Sequence, residues 1–434
     1  MTSMTHLERS LNAYVDTHTS RLVEIVRDLV RLPSENKAPH GDEASCQRYV
    51  ADLLRRCGWD PILYTPDEAP GIRSHPLYWP GRDYRNRPNV GARRAGKRHG
   101  RSLLLSGHID TVPVGSHPWT RDPFGGEIEG NRLYGRGSND MKGGIATNMF
   151  VVEALADMRL GLAGDLVVES VVDEEFGGVN GTLAGRLMGF HADAAVISEP
   201  SSLRICPAQR GGRTVDLTFH APNHGILAQD GHDSRVVRQL TTFLAALDDF
   251  KRARRQARIH PLYAAAAEPV PVHVTRISTA PWGTSEPTNT PASCRLQLFW
   301  HTMPGEDVEG IDREFFEWLD ALVAARGDTF TARPQVDYPI RWLPGSAIDV
   351  SEPLVTELET AATASLGEQP RIEGIEGPCD MYVFHQLGMP AVLWGPSGGN
   401  THNADEYVEI DSLVRAAKAL LGLVCRWCEV IGSA

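Results

Sequence analysis

The chain has 434 residues, 41% apolar and 23% charged, and a formal net charge of −12, the composition of a soluble globular protein too long for one ordinary core. The acidic balance argues against non-specific binding to nucleic acid or anionic membrane, and no stretch approaches the roughly 20 apolar residues of a membrane span. The N-terminus lacks a basic-then-apolar leader and the seven scattered cysteines describe no disulfide framework, so the cytoplasm is the expected compartment.

Apolar residues recur at helical spacing over 7–32, where Pro33 stops the helix, and a second amphipathic helix is expected over 43–57. Residues 64–89, with Pro66, Pro70, Pro76, Pro80 and Pro88, read as a long surface excursion whose tip at 79–84 is expected as a packed loop, with the lining of a cleft as the alternative. A short apolar strand at 103–105 ends at Gly107. A helix is expected over 141–158, followed by strands at 166–172, 194–197 and 391–394. Strands alternating with helices give an α/β fold with a mainly parallel sheet sandwiched by helices.

The pattern changes after Arg210. Strands at 213–219, 270–278, 293–301 and 329–333 and helices at 235–257 and 308–326 follow the order β-α-β-β-α-β, that of a ferredoxin-like sandwich. Residues 211–333 are therefore expected as an inserted α+β domain, with 1–210 and 334–434 as the two parts of the larger one. Helices at 354–366 and 411–430 complete it. Cys425 and Cys428 read as core thiols, and the basic run at 251–255 as a solvated helix face.

The strand ends carry the chemistry. His108 and Asp110 follow the 103–105 strand; if extended backbone persists, both side chains point to the same side. In open α/β sheets this carboxyl edge is where ligands bind. Asp140 lies in a loop entering a helix, Glu174 and Glu175 follow one strand, Glu199 another, and His402 sits in a Gly-Gly-Asn-Thr-His-Asn loop. So many carboxylates converging on one edge would repel one another and be costly to desolvate, a cost that a divalent cation removes. Imidazole with carboxylate suits Zn2+, with Co2+ or Mn2+ as substitutes. Three carboxylates and two histidines suffice for two ions if one carboxylate bridges; such a pair lowers the pKa of water and polarises a carbonyl. A further carboxylate would carry the proton to the leaving amine.

Five motifs in order carry a resemblance: Gly107-His108-Ile109-Asp110-Thr111-Val112-Pro113; Gly135-Arg136-Gly137 with Asp140-Met141-Lys142-Gly143; Asp173-Glu174-Glu175; Ser198-Glu199-Pro200; and the His402 loop. Over nearly its whole length the chain resembles the two-zinc family of aminoacylase, acetylornithine deacetylase, succinyl-diaminopimelate desuccinylase and glutamate carboxypeptidase. The resemblance implies a zinc-peptidase-like catalytic domain. It implies that His108 and Glu199 bind one zinc, Glu175 and His402 the other, and that Asp140 bridges them. Asp110 would fix the tautomer and orientation of the His108 ring. Glu174 would be the general base, Asp380 would be structural, and the inserted domain would serve as lid and homodimer interface. The implied substrate is a small N-acylated molecule, an N-acyl amino acid first. The alternatives are an N-acylated amine that is no amino acid, a dipeptide or peptide C-terminus, or a silent metal-binding scaffold.

Two departures fall in the inserted domain. The family's lid histidine, which helps stabilise the oxyanion in the partner subunit, has His224 as its best counterpart here, with His220 and His232 as rivals. Where many members carry an arginine that grips a substrate carboxylate, this chain has His301, which cannot replace a permanently charged fork. Either Arg213 or Arg341 serves instead, or the substrate lacks that carboxylate; Asn289 is a further candidate contact.

Overall fold

A computed structural model describes residues 5–178, 180–227, 234–256, 259–279 and 289–433. The chain divides into two compact units, one of Met1–Ala208, Ala347–Ile375 and Cys379–Ala434, the other of Gln209–Ser346 and Glu376–Pro378.

The first unit is built on a mixed sheet. At its centre lie four parallel strands in the spatial order Leu166–Ser170, Leu103–Ser106, Ala194–Ile197 and Ala391–Leu393. All four are buried along their length, which is why they read as short apolar runs without alternation. The flanks depart from the mainly parallel expectation. Asn89–Arg94 and Ile62–Tyr64 pair antiparallel on one side, and Ile205–Gln209 does so on the other. Ile62–Tyr64 and Asn89–Arg94 are joined by the proline-rich excursion, and antiparallel neighbours need no crossover helix.

Helix Gly143–Asp157 is buried nearly all round, as a helix between sheet and outer layer must be, and Ile410–Trp427 and Pro353–Leu366 pack in the same core. The expected 7–32 helix is two helices, His6–Thr17 and Thr19–Val30. The break falls at His18, whose ring stacks on Tyr14 while Thr17 Oγ1 bonds back to the Ala13 and Tyr14 carbonyls. The short helices Asn180–Leu187 and Met381–Gln386 carry too few turns for a periodic signal. Cys425 and Cys428 are buried free thiols.

The second unit holds an antiparallel sheet in the order Val272–Thr279, Ser293–Thr302, Gly211–His220, Gln335–Asp337, with helices Arg235–Gln256 and Val308–Ala325 between strands. That is the strand order of a ferredoxin-like sandwich. The last strand is Gln335–Asp337 and not 329–333: the amides of Thr329 and Phe330 both turn back to the Arg326 carbonyl, and buried Phe330 anchors that turn. The core is aromatic, with Phe250, Trp300, Phe315 and Trp318 in mutual ring contact. The basic run is not wholly solvated. Arg254 is fully buried and pairs with Glu306 and Glu314, whereas Lys251 and Arg252 make exposed pairs one turn back. Among the described residues no helix is long and apolar enough to cross a membrane.

Candidate metal centre

The parallel strands of the first unit deliver their carboxyl ends to one place. Strand Leu103–Ser106 runs on past Gly107, and His108 bridges to Val171 of the neighbouring chain segment. Extended backbone therefore persists, and His108 and Asp110 lie on one side, with Nδ1 3.6 Å from Asp110 Oδ1. The shorter contact of Nδ1 is 2.9 Å to the main-chain carbonyl of Asp110. The Asp110 carboxylate also accepts from the amides of Glu174 and Glu175 at 3.0 and 3.1 Å and from Asn36 Nδ2 at 2.9 Å.

Glu174 and Glu175 do not continue an extended strand. The strand ends at Ser170, and the pair sits in a turn that begins at Asp173, with φ 69°, and closes with the Gly177 amide on the Glu174 carbonyl. Glu199 follows Ala194–Ile197, where the Ser198 amide bonds the Ser106 carbonyl at 3.1 Å. A side chain at Gly144 would run into the Ser198 carbonyl oxygen and one at Gly395 into that of Glu199, so both glycines permit the close backbone approach that seats Glu199. His402 is held at φ 61°, and the nearby Thr401 hydroxyl accepts from Asn139 Nδ2 at 2.7 Å.

Asp140 lies between the two histidines. Its Oδ1 is 3.1 Å from His108 Nε2, and its Oδ2 is 3.2 Å from His402 Nε2. Glu199 Oε1 stands 3.5 Å from His108 Nε2, and Glu175 Oε2 stands 2.9 Å from His402 Nε2. Two donor triads result, His108–Asp140–Glu199 and Asp140–Glu175–His402, each with ligand atoms within 4.8 Å of one another. The donors are imidazole nitrogens and carboxylate oxygens with no thiolate, a set that fits a borderline divalent ion such as Zn2+.

The electrostatics point the same way. Burial opposes charge on His402, yet Asp140 and Glu175 outweigh it and push the ring up to about 11. His108 is driven well above its ordinary value against full burial, by Glu199 first and then by Asp110 and Asp140. Burial raises Asp140, but the two histidines overcome it and hold it below the usual carboxylate range. Burial lifts Glu199 to about 7, with His108 opposing and Asp140 adding. The cluster thus favours positive charge at its centre, which divalent cations would supply. Glu174 is buried and pushed well above its ordinary value, by burial first and then by Glu199, Asp380 and Glu175, with His108 opposing.

One organising residue was not singled out in the sequence. Glu406 is buried and accepts from the amides of Gly137, Asn139 and Asp140 at 2.9, 3.0 and 3.0 Å and from Arg136 Nη1 at 2.6 Å. It fixes the loop that carries Asp140. Glu406→Ala should leave Arg136 buried without its partner and lower unfolding free energy by about 3–5 kcal/mol, measurable by denaturant titration. Asp380 is bonded to Thr182 Oγ1, in keeping with a structural role.

The second unit holds the remaining candidates. His224 and Asn289 lie together where segments beyond the paired strand ends His220 and Ser293 meet: Gly225 bridges Asn289, and the Thr290 amide bonds the His224 carbonyl at 2.8 Å. His220 ends its strand, and His232 lies outside the described residues. Arg213 bonds Asp312 twice, at 2.9 and 2.6 Å, and lies over the Tyr338 ring. Arg341 is half-buried. His301, in strand Ser293–Thr302, is pushed down to about 3 by burial and by the charges of Arg210 and His273.

Comparison with known proteins matches this geometry to a family. Residues 104–426 fit the description of peptidase family M20/M25/M40, a span that contains every residue of both triads. The N-formyl-4-amino-5-aminomethyl-2-methylpyrimidine deformylase of Halalkalibacterium halodurans is 26% identical over 446 residues, covering 97% of each chain. The acetylornithine deacetylase of Edwardsiella ictaluri is 26% identical, covering 96% of this chain and 100% of its own. Among solved structures, the dipeptidase Dug1p of Saccharomyces cerevisiae has a TM-score of 0.78 at 17% identity, over 98% of this chain and 99% of its own. With strand ends, donor set and full-length relatives in agreement, the chain belongs to peptidase family M20/M25/M40 and is a hydrolase of amide C–N bonds.

Proposed function

We propose that this hydrolase uses two divalent cations to cleave the amide of a small N-acylated amine. One observation carries the reading: the two oxygens of Asp140 face His108 and His402 separately, which suits a carboxylate shared between two sites. His108 and Glu199 complete one site, Glu175 and His402 the other, with Zn2+ the favoured ion and Co2+ or Mn2+ as substitutes. When bound, such a pair of ions lowers the pKa of water and polarises a carbonyl.

The chain's own residues do the rest. Glu174 accepts the proton of the attacking water on its carboxylate and returns it to the leaving amine. Burial beside other carboxylates lifts its affinity for a proton toward the working range of a general base. Asp110 holds the turn that carries this base by accepting both of its amides, and its carbonyl orients the His108 ring. The second unit takes the role of lid and dimerisation domain, with 211–333 as its inserted part. His224, supplied in trans, stabilises the oxyanion, and Asn289 contacts substrate. The enzyme works as a cytoplasmic homodimer without nucleic-acid or membrane partners.

Of the substrate classes, an N-acylated amine without an α-carboxylate is favoured over an N-acyl amino acid. A neutral His301 offers no fixed positive charge, and Arg213 is paired with Asp312. The pyrimidine deformylase is the relative whose substrate is of this class. Arg341 is the remaining candidate for gripping a carboxylate. Purified zinc-loaded protein, assayed against N-formyl and N-acetyl aminomethylpyrimidines, N-acyl amino acids and their decarboxylated counterparts, should prefer the carboxylate-free member of each pair by about tenfold or more. Strict dependence on the carboxylate would instead establish the amino-acid class.

A further inference from the structure

The proline-rich excursion is tied to the Glu174–Glu175 turn by contacts its surface-loop composition does not announce. We propose that Arg82 and Tyr84 are positioning residues that hold this turn in its working shape, an inference that rests on the reading of the turn as carrier of the base and of one metal ligand.

Asp173, the first residue of the turn, is fully buried and lies in the left-handed region at φ 69°, where a residue other than glycine is strained. Something must hold it there. Its Oδ2 accepts from the Tyr84 hydroxyl at 2.5 Å. Its Oδ1 lies 3.2 Å from Arg82 Nε and accepts from Asn36 Nδ2 at 3.3 Å. Arg82 also reaches the far end of the turn, where Nη2 donates to the Phe176 carbonyl at 3.2 Å. One guanidinium thus spans the segment from Asp173 to Phe176, with Glu174 and Glu175 between. The contact with Asp173 is an ion pair and that with Phe176 a hydrogen bond; an extended planar guanidinium makes both at once, and a single ammonium cannot.

The excursion is itself pinned. Asn180 accepts from the Trp79 amide at 2.9 Å and donates to the Trp79 carbonyl at 2.7 Å and to the Tyr84 hydroxyl at 2.8 Å, while Arg82 lies 4.6 Å from the Trp79 ring centre. On the opposite side, Asp110 takes the two amides of the turn. The turn is clamped between a strand end and the excursion, so loosening the outer jaw shifts the Glu174 carboxylate, and with it Glu175, without replacing any residue of the two triads.

The test compares full-length Tyr84→Phe, Arg82→Ala and Arg82→Lys with wild type and with Glu174→Gln, all loaded with Zn2+. Tyr84→Phe and Arg82→Ala should lower kcat by about tenfold or more, with KM within about twofold, because a misplaced base costs rate and not binding. Zinc held by His108, Asp140 and Glu199 should be retained, with any weakening confined to the site of Glu175 and His402; amide hydrogen exchange should accelerate at 173–178 but not in Leu103–Ser106, and Arg82→Lys should recover only part of the rate. Unchanged kcat and exchange, with Glu174→Gln inactive, overturn the clamp and leave the base in place. A turnover-competent Glu174→Gln overturns the underlying reading instead. Faster exchange throughout the first unit with parallel loss of zinc also overturns the proposal, because it marks a merely structural role. If Arg82→Ala does not fold, Tyr84→Phe decides, since it deletes one hydroxyl.

Discussion

Glu174→Gln should lower kcat by about 10²–10⁴-fold while the protein still binds divalent cation as wild type does. The substitution keeps the size of the side chain and removes its capacity to take a proton. Glu174 belongs to neither donor triad, so metal content measured on the purified variant should not change. Its amide, which bonds Asp110, is untouched, and the turn keeps its anchor. Burial first, and then the neighbouring carboxylates, raise the proton affinity of Glu174, so the neutral amide avoids a buried charge and like-charge repulsion and should not destabilise the fold. Wild-type turnover in this variant would end the mechanism as stated.

Asp140→Ala should abolish retention of both cations and all turnover. The reason lies in the sharing: Asp140 is the residue common to both triads. Glu199→Ala and His402→Ala each remove a ligand from one triad alone, and should leave the other ion measurable. For Asp140→Ala the fall in metal affinity should exceed the about 10–100-fold typical of removing an outer hydrogen-bonding partner of a ligand. Glu406 takes the amide of Asp140 and not its side chain, so the loop backbone should persist and the loss should be confined to the metal centre. Metal analysis after dialysis, with unfolding curves recorded in parallel, measures both parts. Retention of both ions by Asp140→Ala would show that the carboxylate is not shared.

How much of this was legible in the sequence follows from the kind of contact involved. His108, Glu199 and Glu175 stand at or just beyond the ends of short apolar strands, and His402 in a loop after another; parallel strands bring such ends to one edge, so strand reading alone gathered them. The flanking antiparallel strands escaped because Ile62–Tyr64 is short and because Asn89–Arg94 and Ile205–Gln209, interrupted by Gly91 and Pro207, show no continuous apolar run; the last strand of the second unit was displaced because local turn bonding at Arg326 overrode its propensity. The role of the Asp110 carboxylate was read toward His108, two residues away; that it also takes the amides of Glu174 and Glu175, 64 and 65 residues on, was not legible. Glu406 acts across more than 260 residues. No spacing rule reports a contact of that range.

The two departures in the inserted domain divide in the same way. The sequence places a histidine where a gripping arginine is expected, but it does not say whether that histidine is charged or whether a nearby arginine is at liberty to replace it. Burial beside Arg210 and His273 bears on the first by disfavouring charge on His301, and the bidentate Asp312 pair bears on the second. By itself, then, the sequence determined the fold class, the family likeness and the identity of the donor atoms, because these follow from local patterning and from residue chemistry. Only the tertiary structure decided that Asp140 faces two histidines, that Glu406 holds its loop, and that the excursion closes on the Glu174 turn. Those depend on hydrogen bonds between segments far apart in the chain, which exist only once the core has brought the segments together.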